Sequence, residues 1–219
     1  MAAISPASRM VAAAARDRLR PLGLRQRGRS RVWIDDHGWW LGVVEFPSPQ
    51  WSAGSGLTVG AMWLWQDLDH VAFDAVDRVR GTEEFRNETQ FASVASELVC
   101  AAEERVRGLR ARFADLGAVA SFLMDRPPRP GYLWESFNAG VAAGLIGDAA
   151  AARERFAAVL SEDPCAHWIR DMQKTAQLLH DVADEESAVR NWARNAVTSC
   201  RTKLVLGPPS EASEHVVIP

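Results

Sequence analysis

The sequence predicts an α+β protein: an N-terminal helix, a three- to four-stranded antiparallel meander, then a helical C-terminal half packed on it. Three observations carry this. Between Arg25 and Trp65 short apolar and aromatic runs are separated by turn-forming clusters. From Phe91 onward they recur with helical spacing. Six of the nine tryptophans lie in or next to the strand region, which marks it as the part of the chain the rest is organised around.

Ser5-Pro6-Ala7-Ser8 starts the first helix, and Met10, Val11, Ala14, Ala15, Arg18 and Leu19 form its stripe. Pro21 ends it, because proline has no N–H and disfavours helix at the preceding residue. Gly23 suits a left-handed turn. Arg25–Ile34 reads as a strand; if it is regular throughout, Arg25, Arg27, Arg29 and Arg31 share one face. Gly28 weakens that regularity and would move the strand start towards Ser30. Asp35-Asp36-His37-Gly38 reads as a hairpin turn.

Trp39–Phe46 is the second expected strand, with Trp39, Leu41 and Val43 on one face and Trp40, Gly42, Val44 and Phe46 on the other. Both faces are apolar, so the sheet is covered on both sides or has one exposed sticky face. Residues 47–56 (PSPQWSAGSG) form a loop by composition. Leu57–Trp65 is the third strand. His70–Val79 alternates weakly and is read as a fourth, with a short helix as the alternative.

The helical half begins at Phe91 with a stripe running to Phe113, followed by Leu116–Met124. Residues 126–131 (RPPRPG) are a hard break and the expected internal boundary. This divides the chain into a sheet domain (1–130), a helical subdomain (131–206) and a flexible tail (207–219). Tyr132–Ile146 and Ala149–Leu160 form a helical hairpin with Asp148 as cap. Asp163-Pro164 is expected to open a further helix burying Trp168, Ile169, Met172, Ala176 and Leu179. Asp184 is expected to cap a last one, with Trp192 and Cys200 inward.

Two resemblances rest on these segments. Leu19-x-x-Leu22-Gly23-Leu24-x-x-x-Gly28, an arginine-rich strand and Leu57-Thr58-Val59-Gly60 resemble a bacterial family of domains of unknown function catalogued as forty-three-oh-four. Leu24 stands where that family prefers Phe, and Gly60 where it prefers Asn. The resemblance covers about the first two thirds of the chain and implies an α+β fold but no activity. Gly140, Ala152, Phe156 and Pro164 are spaced like the small, small, aromatic and proline positions of a single tetratricopeptide repeat. Ser136 and Ala143 depart from that pattern, and no second copy follows at a period of about 34 residues. The resemblance implies one repeat-like hairpin rather than an array.

Composition and motifs narrow the function classes. The hydrophobic fraction of 47% and charged fraction of 24% are those of an ordinary soluble protein. Cys100, Cys165 and Cys200 are scattered and odd in number, which suits reduced thiols in a cytoplasm. The N-terminus lacks the pattern of a signal peptide, and no apolar run approaches a membrane span. The five histidines stand alone; Asp67-x-Asp69-His70 reads as a solvated turn rather than a metal site. No GxSxG, phosphate loop or GxGxxG occurs, so no catalytic residue, metal or cofactor is expected. Net charge is −3, yet residues 1–31 hold eight arginines against Asp17 alone, +7, leaving −10 for the remainder.

Candidate binding residues are Trp40, Trp51, Trp63, Trp65 and Glu45. Trp is enriched at binding hot spots; Trp51 in its loop is the one least explained by a core, and Trp40 is next. Glu45 falls on the apolar face of its strand, where a buried carboxylate would be a general acid or base. Arg25, Arg27, Arg29 and Arg31 are candidate anion contacts. Beside Trp33 they have the ingredients for nucleic acid, but the acidic remainder and the lack of recognition motifs disfavour it. The expected function is a protein-binding adaptor or regulatory module of immunity type, with another protein as partner. The alternative is a small-ligand binder or enzyme with a pocket lined by Trp63, Trp65 and Glu45.

Overall fold

The structure is a computed structural model and describes residues 5–49 and 53–207. Helix α1 (Pro6–Leu19) starts as the sequence requires: the Ser5 hydroxyl accepts the Ser8 amide, and Pro6 sits in the first turn. Its buried edge is Ala7, Val11, Ala15 and Leu19, one every four residues. The helix ends before Pro21, and Gly23 takes φ +90°.

Strands β1 (Arg25–Gln26), β2 (Val32–Asp36), β3 (Trp40–Glu45), β4 (Gly54–Trp63) and β5 (Ala75–Glu84) form one antiparallel meander in chain order. The single strand expected from Arg25 to Ile34 is two strands. Gly28 adopts φ +57°, a left-handed conformation that side chains disfavour. Around it the Ser30 amide bonds the Arg27 carbonyl at 3.0 Å, and the Arg27 amide bonds the Val32 carbonyl at 2.9 Å. The arginine row is thereby folded back on itself. Arg25 pairs with Ile34 and Gln26 with Trp33, and residues paired across a ladder share a face. Arg25 therefore lies on the face of Ile34, whereas Arg31, two residues before Trp33, lies on the other.

Three strand boundaries also differ. Residues 54–56, expected in the loop, begin β4: Gly54 pairs with Glu84 and Ser55 with Glu83. Trp65 is outside the sheet, in a 3-10 turn at Leu64–Gln66. The weakly alternating segment does supply a strand, β5, shifted to Ala75–Glu84. Both faces of β3 are buried, Trp40 and Val44 on one and Leu41 and Val43 on the other.

The chain separates into two compact units, Met1–Met62 with Ala72–Ala111, and Trp63–Val71 with Arg112–Pro219. In the first, α2 (Glu88–Arg112) sends Arg110 to Asp35 of β2. Arg110 donates to both carboxylate oxygens, at 2.7 and 2.8 Å, and to the Leu22 carbonyl at 2.6 Å. His37 lies 2.8 Å from the same carboxylate and stacks on Trp40 with ring centroids 4.1 Å apart. Asp35, expected in the hairpin turn, belongs to β2 and is buried. Burial pushes its pKa up, but the hydrogen bonds from Arg110 and then His37 outweigh burial and hold it below the usual carboxylate range.

The second unit holds α3 (Leu116–Met124), α4 (Leu133–Leu145), α5 (Ala149–Leu160), α6 (His167–Asp181) and α7 (Glu186–Leu204). Helix α4 is buried at every position from Ser136 to Leu145. Its sequence FNAGVAAGL is small or apolar all round, as a central helix must be. Gly140 is needed for the α5 approach: a Cβ there would lie 2.7 Å from the Phe156 ring. The repeat-like spacing of Gly140 and Phe156 thus corresponds to a direct contact. Asp148 caps α5 through the Ala151 amide.

The break at residues 126–131 falls inside this unit. Arg155 of α5 donates to the Met124 and Arg126 carbonyls at 2.8 and 2.6 Å, and the Gly131 amide donates to Glu162. Two helix starts lie later than expected. Asp163-Pro164 forms a turn and α6 begins at His167, which leaves Trp168 half exposed rather than buried. Helix α7 follows Glu185, and Asp184 pairs instead with Arg153. Residues 208–219, expected as a tail, lie outside the described residues.

Candidate functional site

The first unit holds a cleft of about 610 Å³ between α1 and the β1–β2 hairpin. Helix periodicity builds one wall. Ser5, Ser8, Arg9, Ala12 and Arg16 recur at three- and four-residue steps along α1, beside the buried Val11 edge. The hairpin supplies the other wall with Gln26, Arg29, Ser30 and Arg31. Trp33 of β2 and Phe46 after β3 lie at its floor, both 1% exposed. Ser48, Ala53 and Ser55 complete the lining.

The cleft is positively charged. Four arginines line it, and among the described residues no Asp or Glu does. Arg31 donates to the Ser8 hydroxyl at 2.7 Å, and Ser8 shares a second 2.7 Å bond with Ser5, the cap of α1. Arg16 and Arg29 are exposed, and among the described residues neither carries an ion pair. The amino end of α1 adds the positive end of its helix dipole. Arg16 and Arg29 bring like charge to one cleft, and like charges repel, by about 1 kcal/mol for a pair 4 Å apart in water and more in a partly buried site. An anion in the cleft relieves that repulsion.

The sequence-predicted residues separate as follows. Arg29 and Arg31 reach the cleft. Arg25 instead borders a shallower depression with Arg20, Gly23 and Gln26, and Arg27 is exposed in the turn. Trp40 is a core residue, 1% exposed and stacked on His37, not a surface aromatic. Trp63 and Trp65 are buried and stack at 5.7 Å; Trp63 also meets Phe113 edge-on, and Trp65 Nε1 donates to buried Asn138 at 2.9 Å. Glu45 is half-buried at the end of β3, opposite Val32. Trp51 lies outside the described residues.

Other candidate chemistry is occupied structurally. Lys203 pairs with Asp67 at 2.8 Å, and His70 with Asp69 at 2.9 Å. Burial pushes the Cys200 thiol up to about 11, and its Sγ donates to the Leu68 carbonyl. The residues that sequence reasoning missed are Arg9 and Arg16. They were counted within the basic N-terminus but not placed. Their seven-residue spacing, with Ala12 between them and Ser5 and Ser8 before them, marks one helix face and is the available signal.

Compared with family models, curated proteins and solved structures, the chain matches none. The cleft's own chemistry is therefore the basis for a functional reading.

Proposed function

We propose that this protein is a binding or regulatory module whose α1 cleft takes a small organic anion. The observation that supports this best is the gathering of Arg9, Arg16, Arg29 and Arg31 around a cavity with an apolar floor and, among the described residues, no lining carboxylate. Its volume falls within the range of about 300–1,000 Å³ typical of small-molecule sites. The arginines neutralise and orient the ligand, the serine hydroxyls and Gln26 offer further hydrogen bonds, and Val11 and Ala12 face its apolar part. This is the small-ligand alternative of the sequence, moved from the tryptophans to the basic N-terminal segment. Calorimetric titration with a panel of carboxylates, sulfates and phosphates tests it. Binding that weakens in Arg16→Gln supports the reading; a panel with no binder removes it.

A second reading concerns the helical unit. Trp168 is 50% exposed on α6 and stacks parallel to Trp134 at 6.5 Å. An exposed tryptophan on α6, stacked on the half-buried Trp134 of the repeat-like hairpin, supports the expected protein-binding role. A protein partner captured by the wild type and lost with Trp168→Ala would favour it. Capture unchanged by that substitution would count against it.

A further inference from the structure

We infer that the anion taken by the α1 cleft is a phosphate ester or diphosphate of small-metabolite size, carrying at least two negative charges. This rests on the anion-binding reading and names the ligand class of the same site. Arg16, Arg29 and Arg31 together carry more charge and more donors than one carboxylate can neutralise or accept from. A carboxylate has two acceptor oxygens, whereas a phosphate monoester has three and a diphosphate more. The donors also surround the cleft rather than sit on one side: Arg9 and Arg16 come from α1, Arg29 and Arg31 from the hairpin. Ser8, already bonded by Arg31, ties the two walls together at the amino end of α1. That end also carries the positive end of the helix dipole, although its Ser8 amide is already taken by the Ser5 hydroxyl.

The size of the cleft and the charge of the chain limit the ligand. A cleft of about 610 Å³ exceeds what a bare phosphate fills and leaves room for an organic portion against Val11 and Ala12. A long polyanion is disfavoured, because the basic segment ends by Arg31 and the remaining residues sum to −10.

The test is calorimetric titration of the full chain at low ionic strength with inorganic pyrophosphate, adenosine monophosphate, butyrate and a single-stranded oligonucleotide. Arg16→Gln and Arg29→Gln are run beside the wild type; both positions are exposed, so neither change disturbs the core. Pyrophosphate or adenosine monophosphate should bind at least about tenfold tighter than butyrate, and each variant should lose about tenfold. Added salt should weaken that binding. Butyrate binding as tightly as the phosphates, with the same sensitivity to the variants, would overturn the phosphate assignment and leave the anion site standing. Phosphate binding unchanged in both variants would place the phosphate elsewhere and overturn the inference. An oligonucleotide that binds tighter than pyrophosphate and gains affinity with length would replace the metabolite with a nucleic-acid strand. No binding by any of the anions would remove both the inference and the reading beneath it.

Discussion

Replacing Arg110 with Met should destabilise the first unit by about 3 kcal/mol. Arg110 holds the buried Asp35 carboxylate with two hydrogen bonds of 2.7 and 2.8 Å, and its third bond satisfies the Leu22 carbonyl. Removing one partner of a buried pair costs roughly 3–5 kcal/mol, because the remaining charge stays desolvated. The lower end applies. The Arg110 side chain is 34% exposed, so solvent screens part of the pair, and His37 remains as a second partner of Asp35. The assay is urea unfolding followed by far-ultraviolet circular dichroism across pH. In the wild type Asp35 has a lowered pKa when folded, so between the folded and unfolded values the unfolded chain binds the extra proton. Stability from this group is therefore full above the unfolded value near pH 4 and falls as pH drops through the folded value. In Arg110→Met the burial of Asp35 is opposed by His37 alone, and that acid-side loss should largely disappear. Asp35→Asn combined with Arg110→Met should recover part of the stability, since no buried charge is left behind. A loss under about 1 kcal/mol, or an unchanged acid slope in the variant, would refute the role given to this pair.

Three further outcomes follow from particular contacts. Gly140→Ala should cost about 1–3 kcal/mol by thermal denaturation, because the new methyl meets Phe156, and pairing it with Phe156→Leu should recover part of the loss. Trp65→Phe should cost about 1–3 kcal/mol more than its lost area implies, since it leaves the buried Asn138 oxygen without its 2.9 Å donor; Trp168→Ala, at the surface, should stay within about 0.5 kcal/mol. In the native protein near neutral pH a thiol reagent should label exposed Cys165 quickly and spare Cys200, whose thiol is buried and pushed up to about 11. Equal labelling rates would show that the Leu68–Cys200 contact opens readily.

Local chemistry made much of this fold legible in the sequence. Ser5-Pro6 starts α1 and Pro21 stops it, because capping and the missing proline N–H act within a few residues. Short apolar runs between turn-forming clusters locate the strand region, and helical stripes locate α2, α3 and α5, since turn chemistry and one-face burial act within a single element. Asp148 at the α5 cap and the Gly140–Phe156 spacing were readable for the same reason.

Tertiary structure decided what depends on residues distant in sequence. A period of two would have placed Arg25 and Arg31 on one face; the turn at Gly28 places them on opposite faces, and only the fold brings Arg29 and Arg31 opposite Arg9 and Arg16. Asp35 reads as a hairpin-turn residue, and Arg110, 75 positions away, makes its burial in β2 possible. Trp40, Trp63 and Trp65 have the composition of a binding surface, yet their neighbours bury them. Trp168 reads as core by its stripe and is half exposed because α6 starts at His167. Sequence by itself determined the order and kind of the elements, through interactions that reach one turn or one strand pair. The charged cleft, and which aromatics are core, were set by packing between segments, and no local pattern encodes that.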